Sequence, residues 1–220
     1  MLRDCAFVSL CLCVFVLNGE AQVTQTERVD FPPGGLLRLN NSVGELTIEG
    51  WDLPEVEITT IKSTAQDPDR IRITAERRGN DVIVTTQFPR YPVFPPPLFL
   101  RSGADFVLEY RIKAPRNAGI VVNHDAGEVH IENMMGDVRV TVSKGRIALR
   151  LPSDESYTID AKTDIGDVVS DFEGQKHQRP WIFGHRFAAK SAPAGRQLYL
   201  RVGFGDIAIL KTRQPPYGVR

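Results

Sequence analysis

The chain has 220 residues, of which 42% are hydrophobic, enough for one domain with a sizeable core. Lysine and arginine together number 27, and aspartate and glutamate together also number 27. This balance argues against a globally basic nucleic-acid-binding protein, although it permits local charged patches.

The first 21 residues have the three parts of a secretory signal peptide. Arg3 is positively charged, residues 5–17 are apolar, and residues 19–21 (Gly-Glu-Ala) form a small-x-small cleavage site. The apolar run has thirteen residues, whereas a membrane-spanning helix needs roughly 20. We therefore expect cleavage, with a single mature domain of residues 22–220 that begins near Gln22. Retention of the segment as a membrane anchor is the alternative.

All three cysteines, Cys5, Cys11 and Cys13, lie in this predicted signal peptide. The mature chain would therefore have no disulfide, no thiol nucleophile and no thiolate metal ligand. Export without disulfides is typical of bacterial envelope proteins. We expect the protein in the periplasm, on the cell surface or outside the cell.

Polar and apolar residues alternate along most of the mature chain, for example over residues 45–49, 55–59 and 81–85. Such alternation predicts strands with one buried face. Arg78-Gly79-Asn80 predicts a hairpin turn between two of them. No amphipathic helix is evident, so the predicted fold class is all-β.

Two segments interrupt this pattern. Residues 88–104 are rich in proline, which cannot donate ladder hydrogen bonds, and predict an insert. Its aromatic residues would cover an open end of the core or, alternatively, bind a partner. Residues 171–197 predict an irregular basic loop, with five lysines and arginines against two acidic residues.

A unit of glycine, charged residue and aliphatic residue recurs every nine residues, at Gly127, Gly136 and Gly145. Further copies begin at Gly44, Gly166 and Gly205. Glycine adopts positive φ without steric cost, so each copy is predicted to turn a corner and begin a strand. The aliphatic positions should be buried and the charged ones exposed. The predicted core positions are Val129, Ile131, Val138, Val140, Ile147 and Leu149, and the predicted exposed positions are Glu128, Asp137 and Arg146.

The same polarity after every corner means that each unit presents the same face inward, as stacked coils do. The repeat therefore favours a β-solenoid or β-roll in which two nine-residue units form one flattened coil. An antiparallel β-sandwich is the alternative.

Two stretches, residues 44–58 (GELTIEGWDLPEVEI) and 110–116 (YRIKAPR), resemble the DUF4097 family of adhesin-like proteins. With the repeats, the resemblance covers roughly residues 30–211. It implies an exported bacterial protein with a β-helix-like fold and no established catalytic site. The proline-rich insert and the basic loop depart from the family pattern.

The sequence offers little support for catalysis or metal binding. Calcium-binding β-rolls need paired glycines and an aspartate in every turn, whereas Arg146 occupies that position in the third repeat. The histidines have no ligand motif; His124 and His130 are predicted to share a strand face but lie too far apart for one ion. A cluster of four aspartates, Asp160, Asp164, Asp167 and Asp171, is the one feature that would suit a glycan-active enzyme. We expect no cofactor and no metal.

The basic loop is the best candidate binding site. Its candidate residues for an anionic ligand are Lys176, Arg179, Trp181, Arg186 and Lys190. The expected partners are an envelope polysaccharide, lipid headgroups or another envelope protein, with no nucleic acid. An ordinary surface excursion is the alternative. The sequence thus predicts a non-catalytic, adhesin-like binding or structural module, with a polysaccharide lyase or hydrolase on the same scaffold as the alternative.

Overall fold

The computed structural model describes residues 21–64, 71–88, 106–153, 155–178, 184–190 and 195–212. These residues form fourteen β-strands in one continuous mixed sheet, as the all-β prediction requires. The strands are β1 (Ala21–Asp30), β2 (Leu36–Trp51), β3 (Glu55–Thr64), β4 (Arg72–Arg78), β5 (Asp81–Gln87), β6 (Phe106–Pro115), β7 (Gly119–Glu132), β8 (Val138–Leu151), β9 (Tyr157–Ile165), β10 (Val168–Ser170), β11 (Gln175–Gln178), β12 (His185–Lys190), β13 (Arg196–Phe204) and β14 (Ile207–Lys211).

The centre of the sheet is parallel and strictly registered. Gly127 in β7 pairs with Gly145 in β8, eighteen residues later in the chain. Gly44 in β2 pairs with Gly127 on the other side. Two nine-residue units therefore separate equivalent positions in β7 and β8, and each unit lies beside its equivalent.

A ladder of five glycines marks the line along which these strands turn, and all five have positive φ. A Cβ atom on Gly127, Gly145 or Gly205 would lie within 2.0 Å of the carbonyl oxygen of the preceding glycine in the ladder. No side chain fits there, because neighbouring backbones occupy the space. The ladder members are Gly44 (φ 105°), Gly127 (126°), Gly145 (144°), Gly205 (130°) and Gly166 (137°).

The prediction that every glycine of the repeat begins a strand at positive φ is only partly right. Gly44, Gly127 and Gly145 lie inside long strands that continue through the corner. Gly136 is absent from the positive-φ glycines and instead allows close approach, since its Cβ would lie 2.1 Å from the Ala118 carbonyl oxygen. The nine-residue period thus contains two kinds of glycine with different physical roles.

The glycine ladder divides the sheet into two halves, here called layer A and layer B. Long strands contribute their first part to layer A and their second part to layer B. Layer A runs in the order β4, β5, β2 (36–40), β7 (119–124), β8 (138–144), β13, β9, β12 and β11. Layer B runs in the order β1, β3, β6, β2 (45–51), β7 (127–132), β8 (145–151), β14 and β10.

One hydrophobic core contains side chains from both layers. All six predicted core positions are at most 2% exposed, which confirms the assigned face. The charged positions after the three glycines are exposed, also as predicted. Buried positions have even numbers before the corner of β8 and odd numbers after it, because the glycine shifts the alternation by one residue.

The stack does not follow chain order at its carboxyl end. The last unit, β13 with β14, lies between β8 and the earlier unit formed by β9 with β10. Antiparallel strands flank the parallel centre on both sides, with β3 and β1 beyond β6 and with β12 and β11 beyond β9. These additions cover strand edges that would otherwise present unpaired backbone groups.

The predicted hairpin is confirmed, since β4 and β5 pair antiparallel around Gly79, which has a φ of 64°. The prediction of an irregular loop at 171–197 is wrong in part, because β11 and β12 form an antiparallel pair there. The buried ring of Phe187 ties this pair to the core. Residues 1–20 of the predicted signal peptide and all but Phe88 of the proline-rich insert lie outside the described residues. No helix in the described ranges has the length and apolarity to cross a membrane.

Candidate functional site

The predicted basic residues lie on an edge hairpin, not on a loop. Lys176 belongs to β11, whereas Arg186 and Lys190 belong to β12, which pairs with β9. Arg179 and Trp181 lie outside the described residues. The structure therefore locates three of the five candidates.

These three residues do not share one side of the hairpin. Phe187 points into the core, so Arg186 and Lys190 on either side of it face solvent. Lys176 is the cross-strand partner of Phe187 and belongs to the opposite side, although its own side chain is exposed. The hairpin thus adds Arg186 and Lys190, but not Lys176, to the outer face of layer A.

The outer face of layer A extends this pair of cations into a larger patch. Registers across β8, β13, β9 and β12 align the outward positions of the four strands. We call this patch the basic face. Its charged and aromatic members are Arg139, Asp160, Lys162, Asp164, Arg186, Lys190, Tyr199 and Arg201.

Sequence reasoning missed half of this face. Arg139 and Tyr199 are direct cross-strand partners although sixty residues separate them in the chain. Their strands meet only because the last unit of the stack lies beside β8. Alternation in each strand does identify both residues as outward-facing, but no local signal identifies their neighbours.

Arg201 and Asp160 form the fixed centre of the basic face. Nη2 of Arg201 donates to Oδ2 of Asp160 at 2.7 Å, and Nη1 donates to the backbone carbonyls of Asp160 and Leu200 at 2.8 Å. Nε of Arg186 donates to Oδ1 of the same carboxylate at 3.1 Å. Burial alone would raise the pKa of Asp160, but the two arginines outweigh it and hold that pKa below its usual value.

Tyr199 lies between two guanidinium groups. The guanidinium carbon of Arg201 is 3.8 Å from the centre of the tyrosine ring, and that of Arg139 is 5.3 Å away. Both distances allow cation–π attraction. The ring is 38% exposed, so this aromatic surface is accessible from solvent.

The cations of the basic face are not fully neutralised. Arg201 and Arg186 share Asp160, and Lys162 pairs with Asp164 at 2.5 Å. Arg139 and Lys190 have no carboxylate within ion-pairing distance among the described residues. Five cations of these four strands therefore face two carboxylates, while the Asp137 carboxylate just before β8 accepts from the backbone N–H of Gln197 at 2.8 Å. The two cations without a carboxylate partner among the described residues lie at opposite ends, on β8 and β12.

The four aspartates that would suit an enzyme do not converge on a common point. Asp160 and Asp164 bind the cations just described. Oδ1 of Asp167 accepts from the backbone N–H of Val168 at 2.7 Å, and Oδ2 of Asp171 accepts from that of Lys211 at 3.0 Å. Each carboxylate thus has its own electrostatic or hydrogen-bonding partner within the fold.

The prediction that His124 and His130 share a face is wrong, because the corner at Gly127 lies between them. His124 is buried and receives a hydrogen bond at Nδ1 from the hydroxyl of Ser42, 2.8 Å away, while its Nε2 donates to the Gly44 carbonyl at 3.1 Å. This pair joins β2 and β7 where their register shifts. Ser42 is only 1% exposed, so the pair is inaccessible to a substrate.

No three histidine, cysteine, aspartate or glutamate side chains among the described residues are grouped to hold a metal ion. A groove of about 350 Å³ lies beside the turns that follow β2, β6 and β7. Its lining includes Trp51, Leu53, Met135 and the ion pair of Arg116 with Asp52.

One solved structure shares this fold at low sequence identity. A "putative cell adhesion protein" from Clostridium sporogenes aligns with 86% of this chain and 100% of its own, at 16% identity and a TM-score of 0.51. At this identity, the likeness shows a common fold and nothing more.

Two other solved structures align less well. A "putative adhesin" from Parabacteroides distasonis aligns at 11% identity over 70% of this chain and 62% of its own. Another from Bacteroides fragilis aligns at 11% identity over 89% and 99%. Both have TM-scores of 0.33, too low to establish a common fold. No family model and no curated protein sequence matches the chain.

Proposed function

We propose that this protein is an exported, non-catalytic module of the bacterial envelope that binds an anionic partner through the basic face. The observation that carries the proposal is an open sheet face on which cations outnumber carboxylates and two cations have no carboxylate partner among the described residues. Open, charged sheet faces suit extended ligands, whereas small-molecule substrates generally occupy concave pockets.

The proposal includes membership of the DUF4097 type of β-solenoid. In-register parallel pairing, the eighteen-residue offset from β7 to β8 and the glycine ladder support coils of two short strands that meet at a corner. The insertion of the last unit between two earlier ones would be a departure from the simple solenoid. An adhesin-like role is part of the proposal; the Clostridium cell adhesion protein shares the fold at 16% identity, so the role itself rests on the basic face.

Export is the second part of the proposal. The first described strand starts at Ala21, the last residue of the predicted signal peptide. Removal of residues 1–21 would therefore leave β1 complete but for that one residue. Expression of the full chain in a bacterial host, followed by fractionation and N-terminal sequencing, tests this step. We expect an envelope product that begins near Gln22, whereas a full-length cytosolic product would refute export.

A glycan-active enzyme remains the alternative function. The separate partners of Asp160, Asp164, Asp167 and Asp171 favour binding over catalysis, because paired catalytic carboxylates must flank one scissile bond. Incubation of the mature protein with acidic polysaccharides, followed by assay of new reducing ends and of unsaturated products, separates the two functions. We expect binding without chain cleavage. Time-dependent depolymerisation that the protein alone causes would favour the enzyme.

Adhesion is tested with bacterial envelope preparations. Purified mature protein should bind to immobilised envelopes, and increasing salt should weaken that binding because screening reduces charge attraction. Lack of binding at low ionic strength would contradict the proposed role as a binding module.

A further inference from the structure

The two unpaired cations of the basic face lie on strands that are three strand spacings apart. Arg139 lies on β8 and Lys190 on β12, with β13 and β9 between them. Neighbouring strands lie about 4.8 Å apart, so three spacings place these cations about 14 Å apart across the sheet. A single carboxylate, sulfate or phosphate cannot contact both. The pair suits a ligand with several charges along its length.

Arg139 has the features of a recognition residue. Among the described residues, the side chain of Arg139 interacts only with the ring of Tyr199. Its guanidinium donors therefore remain available to an incoming anion. A guanidinium offers two parallel N–H donors that match a carboxylate or sulfate in bidentate geometry. Contact with an aromatic ring restricts the side chain, which lowers the entropy lost when a ligand binds.

Between the unpaired cations, the charges are already paired. Arg201 and Arg186 hold Asp160, and Lys162 holds Asp164. Thr141 and Thr158 add hydroxyl groups at outward positions beside them. These carboxylate and hydroxyl oxygens accept hydrogen bonds, so the middle of the face suits a neutral, hydroxyl-rich stretch of ligand.

The same pattern disfavours an anionic membrane. A lipid surface presents dense negative charge, which Asp160 and Asp164 would repel. Membrane-binding surfaces also insert apolar side chains, whereas the exposed ring among the members of this face is the amphipathic one of Tyr199, and the exposed Phe204 and Ile165 lie at the corner ends of β13 and β9. A linear acidic polysaccharide alternates charged groups with hydroxyl-bearing rings and avoids both difficulties.

We infer that the basic face binds a linear acidic polysaccharide across β8, β13, β9 and β12. Arg139 and Lys190 each bind an acidic group on different sugar residues, and Tyr199 contacts the ring between or beside them. Arg201 is a positioning residue that holds the tyrosine ring and Asp160 in place. This inference rests on the proposed binding function and specifies its ligand.

The test uses the mature chain and two arginines of the same strand. Arg139→Gln removes one of the two unpaired cations of the basic face. Arg146→Gln removes an exposed arginine of β8 on the opposite, layer B side. The probes are polygalacturonate, neutral dextran and vesicles of phosphatidylglycerol with phosphatidylcholine. Dissociation constants are measured at low and physiological salt.

We expect binding to polygalacturonate, with about tenfold or greater weakening in Arg139→Gln and less than about twofold in Arg146→Gln. Lys190→Gln should also weaken binding to the polymer but should leave binding of a single galacturonate unchanged. Tyr199→Ala should weaken binding to the polymer, while the melting temperature of the protein stays near that of the unmodified chain.

The outcomes separate the two levels of the proposal. Equal losses in Arg139→Gln and Arg146→Gln, or binding to vesicles without binding to the polymer, would overturn the polysaccharide inference. If the protein binds envelopes but binds neither polygalacturonate nor the vesicles, the inference fails while the proposed function stands. Failure to bind envelopes as well would remove the proposed function.

Discussion

The outer faces of the two layers are built from the same coils but treat charge differently. On layer B, every one of five cations lies within 4 Å of a glutamate, and glutamates outnumber cations by seven to five. On the basic face of layer A, five cations face two carboxylates and two cations are unpaired. The layer B residues are Arg28, Arg111, Lys113, Arg146 and Arg150 with Glu45, Glu49, Glu55, Glu57, Glu109, Glu128 and Glu132.

This difference indicates which positions of the fold are constrained by stability. The inward residues of both layers belong to one core, so these positions are mostly apolar, and buried polar residues such as Ser42, Lys62 and His124 are hydrogen-bonded. The outward positions contribute less to stability, because the backbone of each strand is already paired with its neighbours. Those of layer B carry ion pairs, whereas two cations on the basic face of layer A have no carboxylate partner among the described residues.

The largest expected effect on stability comes from placing a charge on the inward side of layer A, compared with the same charge on its outward side. Val140 is fully buried, so Val140→Asp would place an unpaired charge in the core and destabilise the fold by at least about 4 kcal/mol. Thr141→Asp, one residue later on the exposed side, should change stability by less than about 0.5 kcal/mol. Urea denaturation measures both. Equal stability of the two variants would show that the assigned inward face is wrong.

The corner between the layers should be nearly as sensitive. Gly145 has a φ of 144°, and a Cβ there would lie 1.7 Å from the Gly127 carbonyl oxygen. Gly145→Ala should therefore cost about 3 kcal/mol or more in unfolding free energy. Gly79 also has positive φ but has nothing within 4 Å of its added Cβ, so Gly79→Ala is the control, with an expected cost of about 1–2 kcal/mol. A smaller loss at Gly145 than at Gly79 would contradict close packing of the ladder.

The joint between β2 and β7 predicts a loss of stability as the pH falls below neutrality. Burial lowers the pKa of His124, an effect that its backbone hydrogen bonds and Asp125 only partly offset. The unfolded chain therefore binds the proton more tightly, so stability is full above the unfolded pKa of about 6.5 and falls as pH drops below it. The slope is at most about 1.4 kcal/mol per pH unit.

Denaturation at pH 7.5 and 5.5 tests this prediction, with His124→Gln as the comparison. The variant should lose most of the dependence on pH between these values. An identical slope in both proteins would assign the dependence to other groups.

The smallest expected stability effects distinguish the outer faces directly. Nη1 of Arg150 pairs with Oε2 of Glu132 at 3.2 Å on the surface of layer B. Arg150→Gln should cost less than about 1 kcal/mol, as exposed ion pairs do. Arg139→Gln breaks no ion pair and should change the free energy of unfolding by less than about 0.5 kcal/mol. A clear loss of stability in Arg139→Gln would mean that this arginine serves the fold.

Much of the scaffold could be predicted from local sequence. Alternation identified the buried positions of β7 and β8, and the glycine period identified the corners. The different role of Gly136 could not be predicted, because a close approach to the carbonyl of Ala118 depends on the tertiary structure. The strands β11 and β12 within residues 171–197 were missed because pairing of β12 with β9, and of β11 with β12, is not evident from their own sequence.

The basic face was harder to predict than the scaffold. The sequence identified Arg186 and Lys190 as part of a local concentration of charge. It could not bring Arg139 and Tyr199 to them, because the last unit of the chain lies between β8 and β9 out of chain order. Long-range strand order, and not side-chain chemistry, was the missing information.

Retention on an acidic polysaccharide, compared between two charge-matched double variants, tests the central claim most directly. Arg139→Gln with Lys190→Gln removes the unpaired cations of layer A, and Arg146→Gln with Arg150→Gln removes two paired cations of layer B. Both variants lose the same formal charge. The account predicts that the layer A variant elutes at much lower salt, while the layer B variant elutes like the unmodified chain. Equal elution of the two variants would contradict a binding site on the basic face.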